Sequence, residues 1–301
     1  MIPEGQVQPG KFHPLYNQPM FKHIAIAVHP YLPEAPAEAR KIAEVFEAQG
    51  IRAETGMLYD ANLLQGLARR QFDLWVSLGG DGTMLRSGQL CGPAGVPVLG
   101  INLGTLGFLL GIQRGQWQEK IPQLLAGDYW LEPRLMLRAA HWRQGALLGK
   151  WDVLNEAMVS RGDVVRPVRL KITVDGCLLA TVVADGVIAA TPTGSTAYAL
   201  AAGGPILPPQ LRNFLIVPVA PHLSFNRAVV LAENSMVSIQ VETLHKASLS
   251  LDGQHTVPLH DGDRVEVTAS EHTVHFVRLQ EPDYFYRNLT SRMNTFMMSL
   301  E

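Results

Sequence analysis

The sequence predicts an α/β domain with a doubly wound parallel sheet, followed by a β-rich domain. In the first half, short apolar runs alternate with amphipathic stretches, and repeated strand–helix–strand units favour a parallel sheet. In the second half, period-two alternation and Asp-Gly turns replace that pattern, which is typical of antiparallel strands. A length of 301 residues also suits two domains better than one.

The first half of the chain is expected to form alternating strands and helices. His23–Val28 is an apolar run of the kind that forms a buried parallel strand. In the next segment Pro36 favours a helix start, Ile42 and Phe46 share one helical face, and Gly50 is placed to end the helix. Further strands are expected at 51–54, 72–78 and 96–101, and a further helix at 117–126.

The second half is expected to be mostly antiparallel. Residues 169–174 alternate with period two and stop at Asp175-Gly176, a hairpin signal, after which 177–190 continue as extended chain. Other short strands are expected at 237–241, 247–251, 264–268 and 273–279, with turns at Asp252-Gly253 and Asp261-Gly262. The expected organisation is therefore a flexible arm at 1–20, an α/β domain at 21–130, a β-rich domain at 131–283, and a helical tail at 284–301 packing on the first domain.

Composition excludes several classes of protein. Hydrophobic residues make up 47% and charged residues 17%, so the chain can form a packed core. With 25 Lys and Arg against 27 Asp and Glu, bulk charge indicates neither a nucleic-acid nor a membrane partner. Cys91 and Cys177 form no CxxC pair, which argues against a disulfide scaffold or structural zinc and suits a reducing cytoplasm. Without a secretory signal or a long apolar run, a soluble cytoplasmic protein is expected.

The first chemically informative segment is the run Gly79-Gly80-Asp81-Gly82-Thr83, directly after an expected strand. Its backbone N–H groups and the start of the following helix can bind a phosphate. A carboxylate repels phosphate, so Asp81 is better explained as a proton acceptor or a group that helps to hold Mg²⁺. A tight turn with Asp81 capping the helix is the structural alternative. The dinucleotide and P-loop fingerprints GxGxxG and GxxxxGK[ST] are absent from the sequence.

A second segment, residues 191–198, reads Thr-Pro-Thr-Gly-Ser-Thr-Ala-Tyr and follows another apolar strand. Its hydroxyls and helix-start N–H groups can bind ribose or phosphate oxygens, and Tyr198 can stack on a ring. An N-cap cluster on a buried helix is the alternative. Asn155-Glu156 is expected inside a buried strand, where either a ligand or a hydrogen-bond network must satisfy both side chains. Asp185-Gly186 could be a ligand contact or a hairpin corner. The histidine spacing predicts no protein-held metal.

Taken in order, these motifs resemble the NAD kinase family. The resemblance rests on 79–83, on the loop 102–108 (Asn-Leu-Gly-Thr-Leu-Gly-Phe), on Asn155-Glu156, on Asp185-Gly186 and on 191–198, and it extends from about 23 to 286. The GGDGT run alone is shared with diacylglycerol and sphingosine kinases, whereas the TPTGSTAY run is far more specific. The resemblance implies transfer of the terminal phosphoryl group of ATP, delivered with Mg²⁺ and possibly replaced by polyphosphate, to the 2′-hydroxyl of the adenosine ribose of NAD.

The resemblance also implies roles for individual residues. Asp81 corresponds to the proposed catalytic base, and the glycine turn to the phosphate and ATP site. Some NAD contacts in the family come from a neighbouring subunit, so a homo-oligomer, dimer or tetramer, is implied. The phosphate and ATP contacts are Gly79, Gly80, Gly82 and Thr83, and the NAD contacts are Gly82, Phe108, Asn155, Glu156, Asp185, Thr193, Thr196, Ala197 and Tyr198.

Two other functions fit parts of the pattern. A lipid kinase would share the glycine turn but has no need of the hydroxyl-dense segment 191–198. A non-catalytic NAD(P)-binding regulator would gain little from a carboxylate placed beside phosphates. Val183 and Ala201 occupy positions where many family members carry arginine and serine respectively, which leaves the choice between NAD and NADH open.

Overall fold

A computed structural model describes residues 21–104, 107–162, 166–222 and 225–290. It confirms the predicted fold class, an N-terminal α/β part and a β-rich C-terminal part. The expected arm at 1–20, residues 105–106 of the second glycine-rich loop, and the end of the expected tail from 291 lie outside the described residues. The described residues contain no helix both long and apolar enough to span a lipid bilayer.

The first part alternates strands and helices as expected. It also contains a helix that was not predicted, α2, which is only 8 residues long and begins where the carboxylate of Asp60 accepts the backbone N–H of Asn62. The elements are β1 (His23–Val28), α1 (Ala35–Glu47), β2 (Arg52–Met57), α2 (Ala61–Ala68), β3 (Leu74–Gly79), α3 (Asp81–Ala94), β4 (Val98–Asn102) and α4 (Trp117–Leu125).

The second part is built of strands, with a short 3₁₀ turn at Gly194–Thr196 and a helix at residues 284–290. Where two strands were predicted at 264–268 and 273–279, one long strand continues through an irregularity between Ala269 and Thr273. The elements are β5 (Trp130–Arg143), β6 (Ala146–Val153), β7 (Glu156–Arg161), β8 (Val168–Val174), β9 (Cys177–Ala184), β10 (Gly186–Ala190), α5 (Tyr198–Ala201), β11 (Asn213–Val219), β12 (Val229–Ala232), β13 (Val237–Glu242), β14 (Ala247–Leu251), β15 (His255–Leu259) and β16 (Arg264–Arg278).

Among the described residues these strands form two sheets. The larger runs β2-β1-β3-β4-β16-β13-β8-β9, with β5 paired to β16 and β6 to β5, and the smaller runs β12-β11-β10-β7-β14-β15. The strands β1 to β4 pair in parallel, whereas β16 pairs antiparallel with β5 and β13. Because β16 also meets β4 at Phe276 and Val98, one sheet continues from the α/β part into the β-rich part.

Helices cover both faces of the parallel strands, because alternate side chains of a strand point to opposite faces. On β1, Ile24 and Ile26 pack in the cluster that contains α1 and α4, whereas Ala25 and Ala27 pack in the cluster that contains α2 and α3. In such doubly wound sheets ligands bind beyond the carboxyl ends of the strands. The end of β3, immediately before Asp81, is such a position.

Candidate active site

The turn after β3 is open on its solvent side. Gly79 is buried against Thr83, since a Cβ added to Gly79 would lie 2.2 Å from the Thr83 Oγ1 atom. In contrast, a Cβ added to Gly80 or Gly82 would meet no group within 4 Å in the described part of the chain, apart from its immediate neighbours. The chain is extended at Gly80, and α3 begins at Asp81. The turn therefore leaves space at the positive end of α3, where a phosphate group can approach the backbone N–H groups.

Asp81 is held by the second glycine-rich loop and does not cap its own helix. Its Oδ2 atom accepts the backbone N–H of Phe108 at 2.6 Å, and its Oδ1 atom accepts that of Leu109 at 3.0 Å. A Cβ on Gly107 would lie 2.2 Å from the Asp81 carboxyl carbon, so only glycine permits this contact. A carboxylate offers about four lone-pair positions. Each oxygen of Asp81 can therefore accept a further hydrogen bond from a ligand hydroxyl.

Asn155 and Glu156 lie at a bend, which corrects the prediction that they sit inside one buried strand. The chain leaves β6 at Val153 and enters β7 at Glu156, so the amide of Asn155 lies between two strands. The bend is fixed by Asp252, whose carboxylate accepts the backbone N–H groups of Leu154 at 2.8 Å, Asn155 at 2.7 Å and Glu156 at 2.8 Å. A buried carboxylate thus satisfies three backbone donors that a regular strand would have paired.

Asp252 is a residue of this site that the sequence analysis missed. The Asp252-Gly253 sequence predicts a turn, and a turn follows β14 there. An Asp-Gly sequence does not indicate which groups the carboxylate contacts. Asp252 also accepts a hydrogen bond from the side chain of Gln89 on α3, the helix that begins with Asp81. The adjacent Gln254 accepts from Arg86 at 3.2 Å. These contacts attach the bend at Asn155 to the helix that carries Asp81.

Two buried polar atoms at the site have no hydrogen-bond partner among the described residues. They are the Oε2 atom of Glu156 and the Oγ1 atom of Thr83. Burial, and to a smaller extent the neighbouring Asp252, raise the pKa of Glu156 to about 8. Burial likewise raises the pKa of Asp252, against the opposing effect of its N–H donors. Since unsatisfied buried polar groups are costly, a polar ligand at this site would supply the missing partners.

The segment 191–198 meets Asn155 directly. The backbone N–H of Thr191 donates to the Asn155 carbonyl at 2.8 Å, and the Thr191 hydroxyl donates to the Leu154 carbonyl at 2.6 Å. Gly194 packs on the same peptide, because a Cβ there would lie 2.1 Å from the Asn155 carbonyl oxygen. The structure therefore brings together two motifs that are separated in sequence.

The hydroxyls of this segment are largely used within the protein. Ser195 donates to the Pro192 carbonyl at 2.7 Å, Thr196 donates to the Thr193 carbonyl at 3.2 Å, and Thr193 accepts from Arg134 at 3.0 Å. The helix that follows them is the four-residue α5, and no side-chain hydroxyl caps it, so the alternative of an N-cap cluster on a buried helix is not what forms. Ala197 is half-buried and Tyr198 is exposed, which leaves the tyrosine ring accessible to a ligand.

Asp185 does not join the other predicted site residues. It precedes β10, whereas residues 191–198 follow that strand, and Arg161 Nε donates to its carboxylate at 2.9 Å. Asp185 and Thr191 lie at opposite ends of the five-residue strand β10, and the six residue steps between them span about 20 Å. The alternative of a hairpin corner at Asp185-Gly186 is not what forms, because β9 pairs with β8 in the larger sheet and β10 pairs with β7 and β11 in the smaller.

Within the described residues, no group of three or more His, Cys, Asp or Glu side chains is placed to hold a metal ion. Mg²⁺ commonly binds through one or two protein oxygen ligands together with substrate phosphates. The carboxylate of Asp81, beside the open glycine turn, suits that mode of binding, whereas the Thr83 hydroxyl is buried against Gly79.

Comparison with known proteins identifies both parts of the chain. The model of the ATP-NAD kinase N-terminal domain matches residues 24–129, and that of the ATP-NAD kinase C-terminal domain matches residues 154–279. NAD kinase of Chloroflexus aggregans is 38% identical over 274 residues, which cover 91% of this chain and 99% of the relative. NAD kinase of Symbiobacterium thermophilum is 38% identical over 279 residues, covering 90% of this chain and 98% of the relative.

Two solved structures share the fold over most of their lengths. Yeast NADH kinase complexed with NADH superposes with a TM-score of 0.79 at 25% identity, covering 92% of this chain and 89% of that protein. An NAD kinase from Archaeoglobus fulgidus in complex with ATP gives a TM-score of 0.71 at 26% identity, covering 90% of this chain and 98% of that protein. With two family models and full-length relatives in agreement, the chain belongs to the NAD kinase family.

Proposed function

We propose that Asp81 is the base of an ATP-dependent NAD kinase, taking the proton of the 2′-hydroxyl of the adenosine ribose as that oxygen receives the terminal phosphoryl group of ATP. Membership of the family over 91% of the chain makes the protein an ATP-dependent NAD kinase that forms NADP. The observation that carries the role of Asp81 is its carboxylate, oriented by two backbone N–H groups beside an open glycine turn.

The chemistry requires such a group because a sugar hydroxyl is a poor nucleophile at neutral pH. A carboxylate within hydrogen-bond reach contributes roughly 10²–10⁴-fold by accepting the proton. Most of the remaining acceleration in phosphoryl transfer comes from alignment and from neutralising charge. Gly79, Gly80, Gly82 and Thr83 would provide the phosphate site, since the N-terminal end of α3 presents N–H groups there.

The dinucleotide would bind on the other side of Asp81. The Asn155 amide and the Glu156 carboxyl group are suited to ribose and adenine, because Glu156, with its pKa raised to about 8, keeps a proton at neutral pH and can donate it in a hydrogen bond. The exposed ring of Tyr198 can stack on a base. The remaining proposed NAD contacts are Gly82, Phe108, Thr193, Thr196 and Ala197.

Mg²⁺ would arrive with ATP and neutralise charge on the phosphates as the phosphoryl group moves. The carboxylate of Asp81 would be placed to contact such an ion, because it lies beside the open glycine turn. A cytoplasmic location fits the two cysteines, buried Cys91 and exposed Cys177, which form no disulfide in the described chain.

A homo-oligomer would explain how Asp185 could contact NAD although it lies far from the segment 191–198 of its own chain. About 20 Å of strand separates this residue from the segment 191–198 of its own chain, so both cannot contact one dinucleotide's ribose from the same protomer. Asp185 of a second copy, packed with its β9–β10 junction against the site, would resolve the difficulty. Asp185 would then contact NAD held mainly by the neighbouring protomer.

The direct assay incubates purified protein with NAD and Mg-ATP and measures NADP. Parallel reactions replace ATP with polyphosphate, NAD with NADH, or NAD with diacylglycerol. NADP formation that requires nucleotide, acceptor and Mg²⁺ together supports the proposal. Phosphorylation of diacylglycerol in place of NAD would indicate a lipid kinase, and NAD binding with no product would indicate a regulator.

A further inference from the structure

A buried ionic cluster lies behind the site, outside every motif singled out in the sequence. It consists of Glu132 and Arg134 on β5, Arg278 at the end of β16, and Tyr284 in the helix at 284–290. Glu132 is fully buried, and Arg134, Arg278 and Tyr284 are 3%, 2% and 3% exposed. We call these four residues the arginine cluster.

The Glu132 carboxylate joins the cluster. Its Oε2 atom accepts from Arg134 Nη2 at 2.7 Å and from Arg278 Nε at 2.7 Å, and its Oε1 atom accepts from the Tyr284 hydroxyl at 2.8 Å. The two guanidinium groups also lie over the ring of Phe276, at 5.1 and 5.2 Å from its centre. Although burial raises the pKa of Glu132, the two arginines outweigh that effect and lower it to about 2. The cluster therefore places two cations around one anion.

The remaining guanidinium nitrogens reach both halves of the site. Arg278 Nη1 donates to the carbonyl of Leu109 at 2.7 Å. The backbone N–H of Leu109 in turn donates to the carboxylate of Asp81 at 3.0 Å. Arg134 Nη1 donates to the Thr193 hydroxyl at 3.0 Å. A continuous chain of hydrogen bonds thus runs from the proposed base, through Leu109 and the cluster, to the segment 191–198.

Stability alone does not account for this arrangement. Taking charges out of water is costly, and well-packed apolar residues often replace buried ion pairs at no loss of stability. The cluster also contains one more cation than anion, and Arg278 Nη2 has no hydrogen-bond partner among the described residues. The planar, multidentate guanidinium group is suited to holding several acceptors at fixed distances, which lysine cannot do.

We propose that Arg278 and Arg134 are positioning residues, which act through Leu109 and Thr193 to hold Asp81 at a fixed place relative to the bound dinucleotide. This inference rests on the proposed function of Asp81 and Thr193. Arg278 holds the loop that orients the carboxylate, and Gln280 assists by donating to the Gly111 carbonyl of the same loop at 3.0 Å. Arg134 holds the dinucleotide-binding segment. Glu132 sets the distance between the two guanidinium groups.

The test uses Arg278→Lys and Arg134→Lys, which keep the positive charge but lose the multidentate geometry. Arg138→Lys is the matched control, because Arg138 also lies on β5 and pairs with a carboxylate, Asp152, but contacts neither loop. Each variant is assayed for kcat and for both KM values, per folded molecule as determined by urea unfolding. Amide hydrogen exchange at Phe108 and Leu109 is measured in parallel without substrates.

Arg278→Lys is expected to lower kcat by about 10–100-fold, because a misplacement of about 1 Å can cost that much. Its KM for ATP should stay within about threefold, and exchange at Leu109 should be about tenfold faster, since the loop opens more readily. Arg134→Lys is expected to raise KM for NAD by about tenfold with a smaller effect on KM for ATP. Arg138→Lys should match the wild type in all of these measurements.

The inference is overturned if both lysine variants keep kcat and KM within about threefold of the wild type per folded molecule, with unchanged amide exchange. Should either variant fail to fold, Tyr284→Phe decides the question, because it removes one hydroxyl from the cluster and keeps the ring. Faster exchange at Leu109 in that variant supports the inference, and unchanged exchange contradicts it. The exchange data do not depend on activity, so an inactive wild type would refute the proposed function while leaving this test in place.

Discussion

At the scale of single residues, Glu156 couples protonation to folding. Its pKa of about 8 in the folded protein lies above the value of about 4.3 expected in the unfolded chain, mainly because the group is buried. Between those two pH values the folded state therefore binds a proton that the unfolded state has released. The stability that comes from this proton is present in full at low pH and is lost as pH rises through about 8.

The Glu156→Gln variant tests this coupling. Glutamine cannot ionise, so the variant should gain stability relative to the wild type by roughly 1 kcal/mol per pH unit between about pH 5 and 8. Urea unfolding at several pH values measures the difference. Glu119→Gln, at an exposed position on α4, is the control for the loss of one carboxylate. A Glu156→Gln difference that is constant with pH would contradict the raised pKa.

Asn155 and Tyr198 are predicted to recognise the dinucleotide and not ATP. Asn155→Ala and Tyr198→Ala should each raise KM for NAD, by about tenfold on the scale of one or two lost polar or stacking contacts, and raise KM for ATP much less. Steady-state kinetics with each substrate varied in turn measures both constants. Equal increases for the two substrates would count against a role in binding the dinucleotide.

At the scale of structural elements, the second glycine-rich loop is shaped to hold Asp81. A Cβ on Gly107 would lie 2.2 Å from the carboxyl carbon of Asp81, whereas a Cβ on Gly104 would lie 3.9 Å from Asn102, its nearest contact among the described residues. Gly107→Ala should therefore lower kcat by about tenfold or more, because the carboxylate or the loop must move. Gly104→Ala, in the same loop, should have a much smaller effect. Comparable losses in the two variants would show that the contact with Asp81 is not responsible.

The elements that the sequence predicted are those with strong local signals. An apolar run that ends at glycine is typical of a buried parallel strand. This signal predicted a strand directly before Asp81, and β3 confirms it. The bend at Asn155 could not be predicted in this way, since Asp252, 97 residues further along the chain, supplies its hydrogen bonds. The arginine cluster was missed for the same reason. Arg278 reaches Leu109 across 169 residues, and no local pattern reports such a contact.

At the scale of the whole molecule, one sheet joins the two parts, since β16 pairs with β4 of the α/β part and with β5 of the β-rich part. The sequence analysis predicted a boundary at about residue 130, which is where β5 begins. The division of the chain into two separate domains stays a prediction. The shared sheet leads us to expect a single cooperative unfolding transition in urea, with circular dichroism and tryptophan fluorescence giving coincident curves. Two separated transitions would contradict it.

In the proposed oligomer, two variants that are each inactive should recover enzyme activity when they assemble together. If Asp185 acts on NAD held by a neighbouring protomer, then a mixed oligomer of Asp81→Asn and Asp185→Ala contains some sites with both carboxylates intact. Co-expression of the two variants should therefore recover a substantial fraction of activity, whereas each variant alone has little. Co-expression without any recovery, in an oligomer shown to contain both chains, would place Asp185 outside the neighbouring site.

The most direct test of the central claim is the Asp81→Asn variant. Asparagine preserves the size of the side chain and can accept one of the two loop N–H groups, whereas its NH₂ group can accept neither the second N–H nor the hydroxyl proton. We expect the overall fold to be unchanged, the NAD affinity to be close to that of the wild type, and kcat to be lower by about two or more orders of magnitude. A kcat within about threefold of the wild type would contradict the assignment of Asp81 as the base.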